Sequence, residues 1–279
     1  MRADCHIHML FDGCNWKNAI ARHEVAPDRV WIRQQLESYA SQGFTYLRDG
    51  GDRWGVGKCA RQIAEEYGIV YRTPLAPLCM QGHYGGFIGA CYEDLKQYAQ
   101  LVRQAKKDGA DFIKIMISGI MDFDRPGVLS EPPLPSEQIR QLIVIAHDEG
   151  MAVMAHANGA SAYDAAVSGV DSVEHGAYLA QETLHAMKEN GVVWVPTAST
   201  VGNLRGKGRY CEAAVQEIFA GLKQNIACYA KLGGLIAPGT DAGAWAVPHA
   251  GLCEYELLTE AGVTEQMLAR ATEVICTKF

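Results

Sequence analysis

Asp111-Phe112-Ile113-Lys114-Ile115-Met116-Ile117-Ser118 is a nearly unbroken apolar run with one cation in its middle. Its length and its isoleucines fit a buried β-strand. Working outward, similar short runs recur along the 279 residues: Asp4–Met9, Phe44–Asp49, Ile69–Ala76, Met151–His156, Ser172–His175, Val192–Pro196 and Leu235–Asp241. Amphipathic stretches fill the gaps. Asp28 is placed to cap a helix over Arg29–Gln42, with Gly43 past its end. Glu93–Asp108 carries apolar residues at the 3.6 period. Ser136 is a cap for Glu137–Glu149, Cys211–Leu232 reads as a long helix, and Thr264 is a cap for Glu265–Ile275. Strands alternating with helices predict a parallel sheet. Eight such units at roughly 35 residues each predict an α/β fold closed as a (β/α)8 TIM barrel, in one domain spanning 1–279.

Chemistry in such a barrel sits where strands end and loops begin. The expected strand ends carry His6 and His8, His156, His175 and Asp241. Residues i and i+2 of a strand share a face, so His6 and His8 point together into the barrel mouth as a metal chelate. A His-x-His pair alone is a weak signal, because core histidines are common. Four histidines and an aspartate at separate strand ends are a strong one. Lys114 sharpens the reading, since an unpaired ammonium inside an apolar strand is costly. Burial favours the neutral amine. A neutral amine can add carbon dioxide, and the resulting carbamate is a two-oxygen anion shaped to bridge two metal ions. The plainer alternative is a lysine whose stem packs in the wall and whose head pairs with an acid.

Together, Asp4-Cys5-His6-Ile7-His8, Lys114, His156, His175 and Gly239-Thr240-Asp241-Ala242-Gly243 resemble the amidohydrolase superfamily. The resemblance runs from residue 4 to about residue 275. His156-Ala-Asn-Gly-Ala, Val170-Asp-Ser-Val-Glu-His175-Gly and Val247-Pro-His249 look most like the imidazolonepropionase- and prolidase-related branch. The resemblance implies two divalent metal ions. His6, His8 and Asp241 would hold one and His156 and His175 the other, with carboxylated Lys114 and a hydroxide bridging them. Asp241 would be the general base, taking the proton of the attacking water and returning it to the leaving group. Oxygen and nitrogen ligands suit zinc, manganese, iron or cobalt, with zinc the first expectation. The branch commonly adds a small β-sandwich from segments flanking the barrel. No room for one precedes His6 and the chain stops at Phe279, so the expectation is either a barrel without the sandwich or a sequence from which the terminal segments are absent.

The implied reaction is hydrolysis of an amide-type C–N bond in a small molecule, a dipeptide or N-acyl amino acid. A lactonase or cyclic-amide hydrolase would use the same site, and a metal-binding protein without turnover would share its ligands. Gln81-Gly82-His83-Tyr84-Gly85-Gly86 has the makings of a substrate loop, with His83 or Tyr84 donating to a substrate oxygen and His83 the alternative base. Arg48, Arg125, Arg205 and His249 are further candidates to meet a substrate carboxylate.

Composition narrows the field. The formal net charge is −7 and no run of Lys and Arg offers a phosphate-binding face, so neither nucleic acid nor anionic membrane is an expected partner. No apolar run approaches a membrane span, and the first residues do not read as a secretory leader. Nine cysteines without a Cys-x-x-Cys pair suit reduced thiols in the cytoplasm. The expected partner is a small-molecule substrate, and a homo-oligomer is compatible with the sequence. Gly55-Val56-Gly57-Lys58 fits a loose dinucleotide fingerprint, but the acid expected about 20 residues on is missing. There is no Gly-x-Ser-x-Gly elbow and no His-Glu-x-x-His, and a Cys79 nucleophile would need His83 as its base.

Overall fold

β-branched and aromatic residues between glycine- and proline-rich turns build ten short strands in the computed structural model, which describes residues 2–279. They are β1 (Arg2–Ile7), β2 (Phe44–Asp49), β3 (Val70–Arg72), β4 (Leu78–Met80), β5 (Ala90–Tyr92), β6 (Ile113–Met116), β7 (Val153–Ala157), β8 (Ser172–His175), β9 (Val193–Val195) and β10 (Leu235–Ile236). The helices are α1 (Trp16–His23), α2 (Arg29–Ser41), α3 (Val56–Ala64), α4 (Leu95–Lys107), α5 (Ser136–Asp148), α6 (Ala160–Val167), α7 (Gln181–Glu189), α8 (Ser199–Gly202), α9 (Glu212–Lys231), α10 (Cys253–Glu260) and α11 (Glu265–Lys278). None of them is long and apolar enough to cross a membrane among the described residues.

Every ladder is parallel. The fold is therefore α/β, as the alternation requires. The ladders form a three-stranded sheet, β1-β2-β3, and a seven-stranded sheet, β10-β9-β8-β7-β6-β4-β5, rather than one closed sheet. Backbone hydrogen bonds span both gaps. Cys5 N donates to Pro238 O at 2.8 Å, Asp241 N to His6 O at 2.7 Å and His8 N to Ala242 O at 2.8 Å. On the other side, Asp111 N donates to Thr73 O at 3.0 Å.

Gly239 makes the first gap this narrow. A Cβ there would lie 2.3 Å from Val195 Cγ1 and 2.9 Å from His6 N. Val153, Ala155, Val173 and Trp194 are buried in one large cluster with Ile139, Leu142 and Leu184 of the helices. A second cluster joins Ile7 and Leu47 to Ile32 and Leu36 of α2.

Candidate active site

His6 lies in β1, and His8 directly follows its last residue, Ile7. His6 and His8 are buried, with ring centroids 5.4 Å apart. The Nε2 atoms of both lie 3.5 Å from Asp241 Oδ1. These three side chains offer ligand atoms within 4.8 Å of one another, so they can hold a metal ion. Asp241 comes from the opposite end of the sequence, held by Asp4. The Asp4 carboxylate accepts from Thr240 N at 2.9 Å and Thr240 Oγ1 at 2.6 Å. Gly50 leaves room for the His8 ring, since a Cβ there would stand 2.2 Å from His8 Cε1.

Lys114 enters from β6, with Nζ 3.2 Å from His6 Nε2. It is buried, and among the described residues it has no carboxylate at salt-bridge distance. Burial pushes its ammonium down to about 8, although Asp241, Glu174 and Asp49 resist. Burial likewise pushes Asp241 up to about 6 against the pull of Lys114. The His156 and His175 rings meet edge-on with centroids 4.5 Å apart, and the His175 ring lies 4.9 Å from that of His6. Gly119 O and Asn158 Nδ2 each lie 3.3 Å from His156 Nε2, and Thr197 Oγ1 lies 2.9 Å from His175 Nδ1. That leaves His156 Nδ1 and His175 Nε2 as their unengaged nitrogens. His175, Thr197 and Asp241 all adopt left-handed backbone, with φ of 66°, 48° and 58°. Strained residues of this kind gather at functional sites.

Two charged residues beneath the histidines have roles that the sequence pattern did not assign: Glu174 carried none, and Arg48 was expected at a substrate carboxylate. Glu174 Oε2 lies 2.6 Å from His6 Nδ1. Its Oε1 accepts from Ser172 Oγ at 2.6 Å and from Arg48 Nη2 at 2.8 Å. The Arg48 Nε donates to Cys5 O at 2.7 Å. Arg48 is therefore fully enclosed and does not reach a substrate loop. The signal was available: both are charges inside apolar strands, the criterion that singled out Lys114.

The strand ends open into a cavity of about 790 Å³ that His8, Lys114, His156, His175, Asp241 and Tyr84 help to line. The Tyr84 ring sits 4.9 Å from that of His156. Two expected residues lie elsewhere. His83 is absent from the lining, its Nδ1 3.3 Å from Glu131 Oε1. His249 is packed behind the wall, Nε2 2.8 Å from Phe11 O and Nδ1 3.1 Å from Tyr39 Oη, so both nitrogens are engaged. Arg125 pairs with Asp122, and Arg205 lies over Phe219. Cys79 rests against Cys91, Sγ to Sγ 3.2 Å, and burial pushes its thiol up, so it is no activated nucleophile. The Gly55–Gly57 turn has its N–H groups filled from within, because Asp52 accepts from Val56 N at 3.0 Å and Gly57 N at 2.8 Å. A pyrophosphate would find no free donors there.

No protein-family model matches the chain. It is 27% identical over 283 residues to an ochratoxinase of Aspergillus niger, the match covering 85% of this chain and 56% of that protein. The chain thus spans about half the length of this curated relative. Among solved structures, a Xaa-Pro dipeptidase with bound methionine in its active site superposes with a TM-score of 0.79 at 22% identity, covering 99% of this chain and 75% of that one. The A. niger ochratoxinase structure gives a TM-score of 0.74 at 21% identity, covering 98% of this chain and 68% of that one. The likeness to the amidohydrolase superfamily holds in sequence and in fold.

Proposed function

We propose that this chain, as an amidohydrolase-superfamily protein, hydrolyses an amide-type C–N bond in a small molecule, with a dipeptide or N-acyl amino acid as substrate. The same reading treats its two sheets as one eight-stranded barrel, joined through the hydrogen bonds between β1 and residues 238–242. The observation that carries it is the convergence of His6, His8 and Asp241 on one point, with the Lys114 amine 3.2 Å from His6.

The donor set fits a metal. His6 hands Nδ1 to Glu174, which turns Nε2 toward Asp241 and Lys114. The buried His8 Nδ1 has no hydrogen-bond partner among the described residues, and its Nε2 faces Asp241. On this reading His6, His8 and Asp241 would hold one divalent ion and His156 and His175 a second, with carboxylated Lys114 as a shared anionic ligand. When bound, such ions polarise a carbonyl and acidify water. The remaining work falls to the chain's own groups. Lys114, held near 8, presents enough neutral amine to add carbon dioxide, forming an N–C bond and releasing one proton. Asp241, held near 6, is matched to accept a proton at neutral pH and return it to a leaving amine. Tyr84 closes the wall beside His156.

The test joins metal analysis to a panel of dipeptides, N-acyl amino acids, lactones and cyclic amides. Close to two divalent ions per chain and turnover of the open-chain amides are expected. His156→Asn or His175→Asn should lower the ion count, and an unchanged count in both removes the second-ion assignment. Asp241→Asn should fold, keep at least one ion and lose about 10²–10⁴ in kcat with little change in KM. Turnover within about threefold of wild type would leave Asp241 as a ligand at most. Bound metal without turnover anywhere in the panel would favour a metal-binding protein, and lactone turnover alone a lactonase.

A further inference from the structure

The cavity reverses the charge of the molecule around it. The chain carries a formal net charge of −7, yet Asp241 is the only carboxylate in the cavity lining, against Lys17, Lys114 and Arg209. Lys114 belongs to the metal site, so Arg209 and Lys17 are the cations left facing the space beyond it. Neither makes an ion pair among the described residues, unlike the buried Arg48, which pairs with Glu174.

Arg209 is also held ready. Its guanidinium lies over the Trp245 ring at 4.3 Å and near Tyr210 at 5.4 Å. A guanidinium held over aromatic rings can still present its N–H edge, the edge that grips a carboxylate through two parallel hydrogen bonds. Aromatic rings make up part of the remaining lining. Trp16 meets Phe87 edge-on at 5.7 Å, and Phe87 lies 6.3 Å from Phe11 and 5.8 Å from Tyr84. Trp16 and Phe87 remain 51% and 37% exposed, an unfilled aromatic surface at the rim. The volume of about 790 Å³ is in the upper range for small-molecule sites, more than a plain dipeptide needs.

From this geometry we infer that Arg209, supported by Trp245, is the anchor for a free carboxylate on the substrate, whose bulky apolar or aryl part lies on the Trp16–Phe87 wall. This rests on the amide-hydrolase reading and narrows it to anionic N-acyl amino acids with a large acyl group.

The test compares N-benzoyl-L-phenylalanine with its uncharged primary amide, in turnover and in calorimetric binding. Wild type should prefer the acid by between about tenfold and a hundredfold, the range of a charge-assisted hydrogen-bonded pair. Arg209→Met should abolish the preference, Arg209→Lys should keep part of it, and raised salt should weaken it. Both variants should fold normally, because the Arg209 side chain is exposed. Binding that favours the acid and depends on Arg209 without hydrolysis of either compound would sink the amide-hydrolase reading but keep the anchor. An acid-to-amide ratio unchanged in Arg209→Met, or no binding of the acid by wild type, overturns the anchor.

Discussion

Glu174 shows how one buried carboxylate sets a ring that never touches solvent. It fixes the orientation of His6 and is neutralised by Arg48 on its other oxygen. Glu174→Gln keeps the size but loses the charge that makes Nδ1–H donation favourable, and it leaves Arg48 uncompensated. Metal affinity should fall about 10- to 100-fold, as for other carboxylates supporting a metal-bound histidine. Stability should fall by about 3–5 kcal/mol, the usual cost of breaking a buried pair from one side. Competition with a chelator measures the first and thermal unfolding the second; full affinity would show that the Glu174 bond is only structural. That His6, His8, His156, His175 and Asp241 lie near strand ends, and Lys114 inside a strand, was legible because strand period and strand ends are local properties; all but His6 line one cavity. The place of His249 was not legible, because only the folded chain reveals Tyr39 and the Phe11 carbonyl against its ring.

At the level of elements, the join between β1 and residues 238–242 depends on one missing side chain. Gly239→Ala would drive a methyl group into Val195 and the His6 backbone. We expect a loss of about 1–3 kcal/mol from overpacking, together with lower metal content, because Asp241 lies two residues on. Calorimetry and metal analysis of this variant check it, and normal values for both would mean that the strand can shift at no cost. β2 and β8 match the sequence pattern to the residue, and Asp28 caps α2 as expected, accepting from Val30 N and Trp31 N. β10 is far shorter than Leu235–Asp241, since Pro238 has no N–H to give a ladder. β3 stops at Arg72 rather than Ala76, two residues before Pro74. β4 and β5 escaped notice because three-residue strands within a glycine-rich loop leave no period to read. Helix α5 begins at Ser136 itself, with Pro135 as its cap, one residue before the expected boundary.

Across the whole molecule, Asp171 ties three elements together. Its carboxylate accepts from Val153 N at 2.8 Å and Lys278 Nζ at 2.9 Å, and lies 2.9 Å from His147 Nε2. Burial pushes the group up, but His147, the Val153 N–H and Lys278 outweigh it and hold the carboxyl at about 2, below its ordinary 3.8. A depressed carboxyl contributes stability above its unfolded pKa, and that stability is lost as pH falls through the folded value. Asp171→Asn should therefore cost about 2 kcal/mol at neutral pH, and the gap to wild type should close between about pH 4 and pH 2. Denaturant unfolding at several pH values measures it, and a gap constant down to pH 2 would contradict it. The clasp between Asp4 and Thr240 spans 236 residues of chain. During synthesis at about 5–20 residues per second, His6 and His8 precede Asp241 by on the order of ten to fifty seconds. Throughout that interval a nascent chain would offer an ion His6 and His8 without Asp241, so on the proposed metal reading firm retention would wait until residues 238–242 have docked. If the site holds an ion as proposed, an ion that binds only the closed form stabilises it by mass action, so metal supply would act late in folding, as a lock on the joined sheets rather than a seed for them.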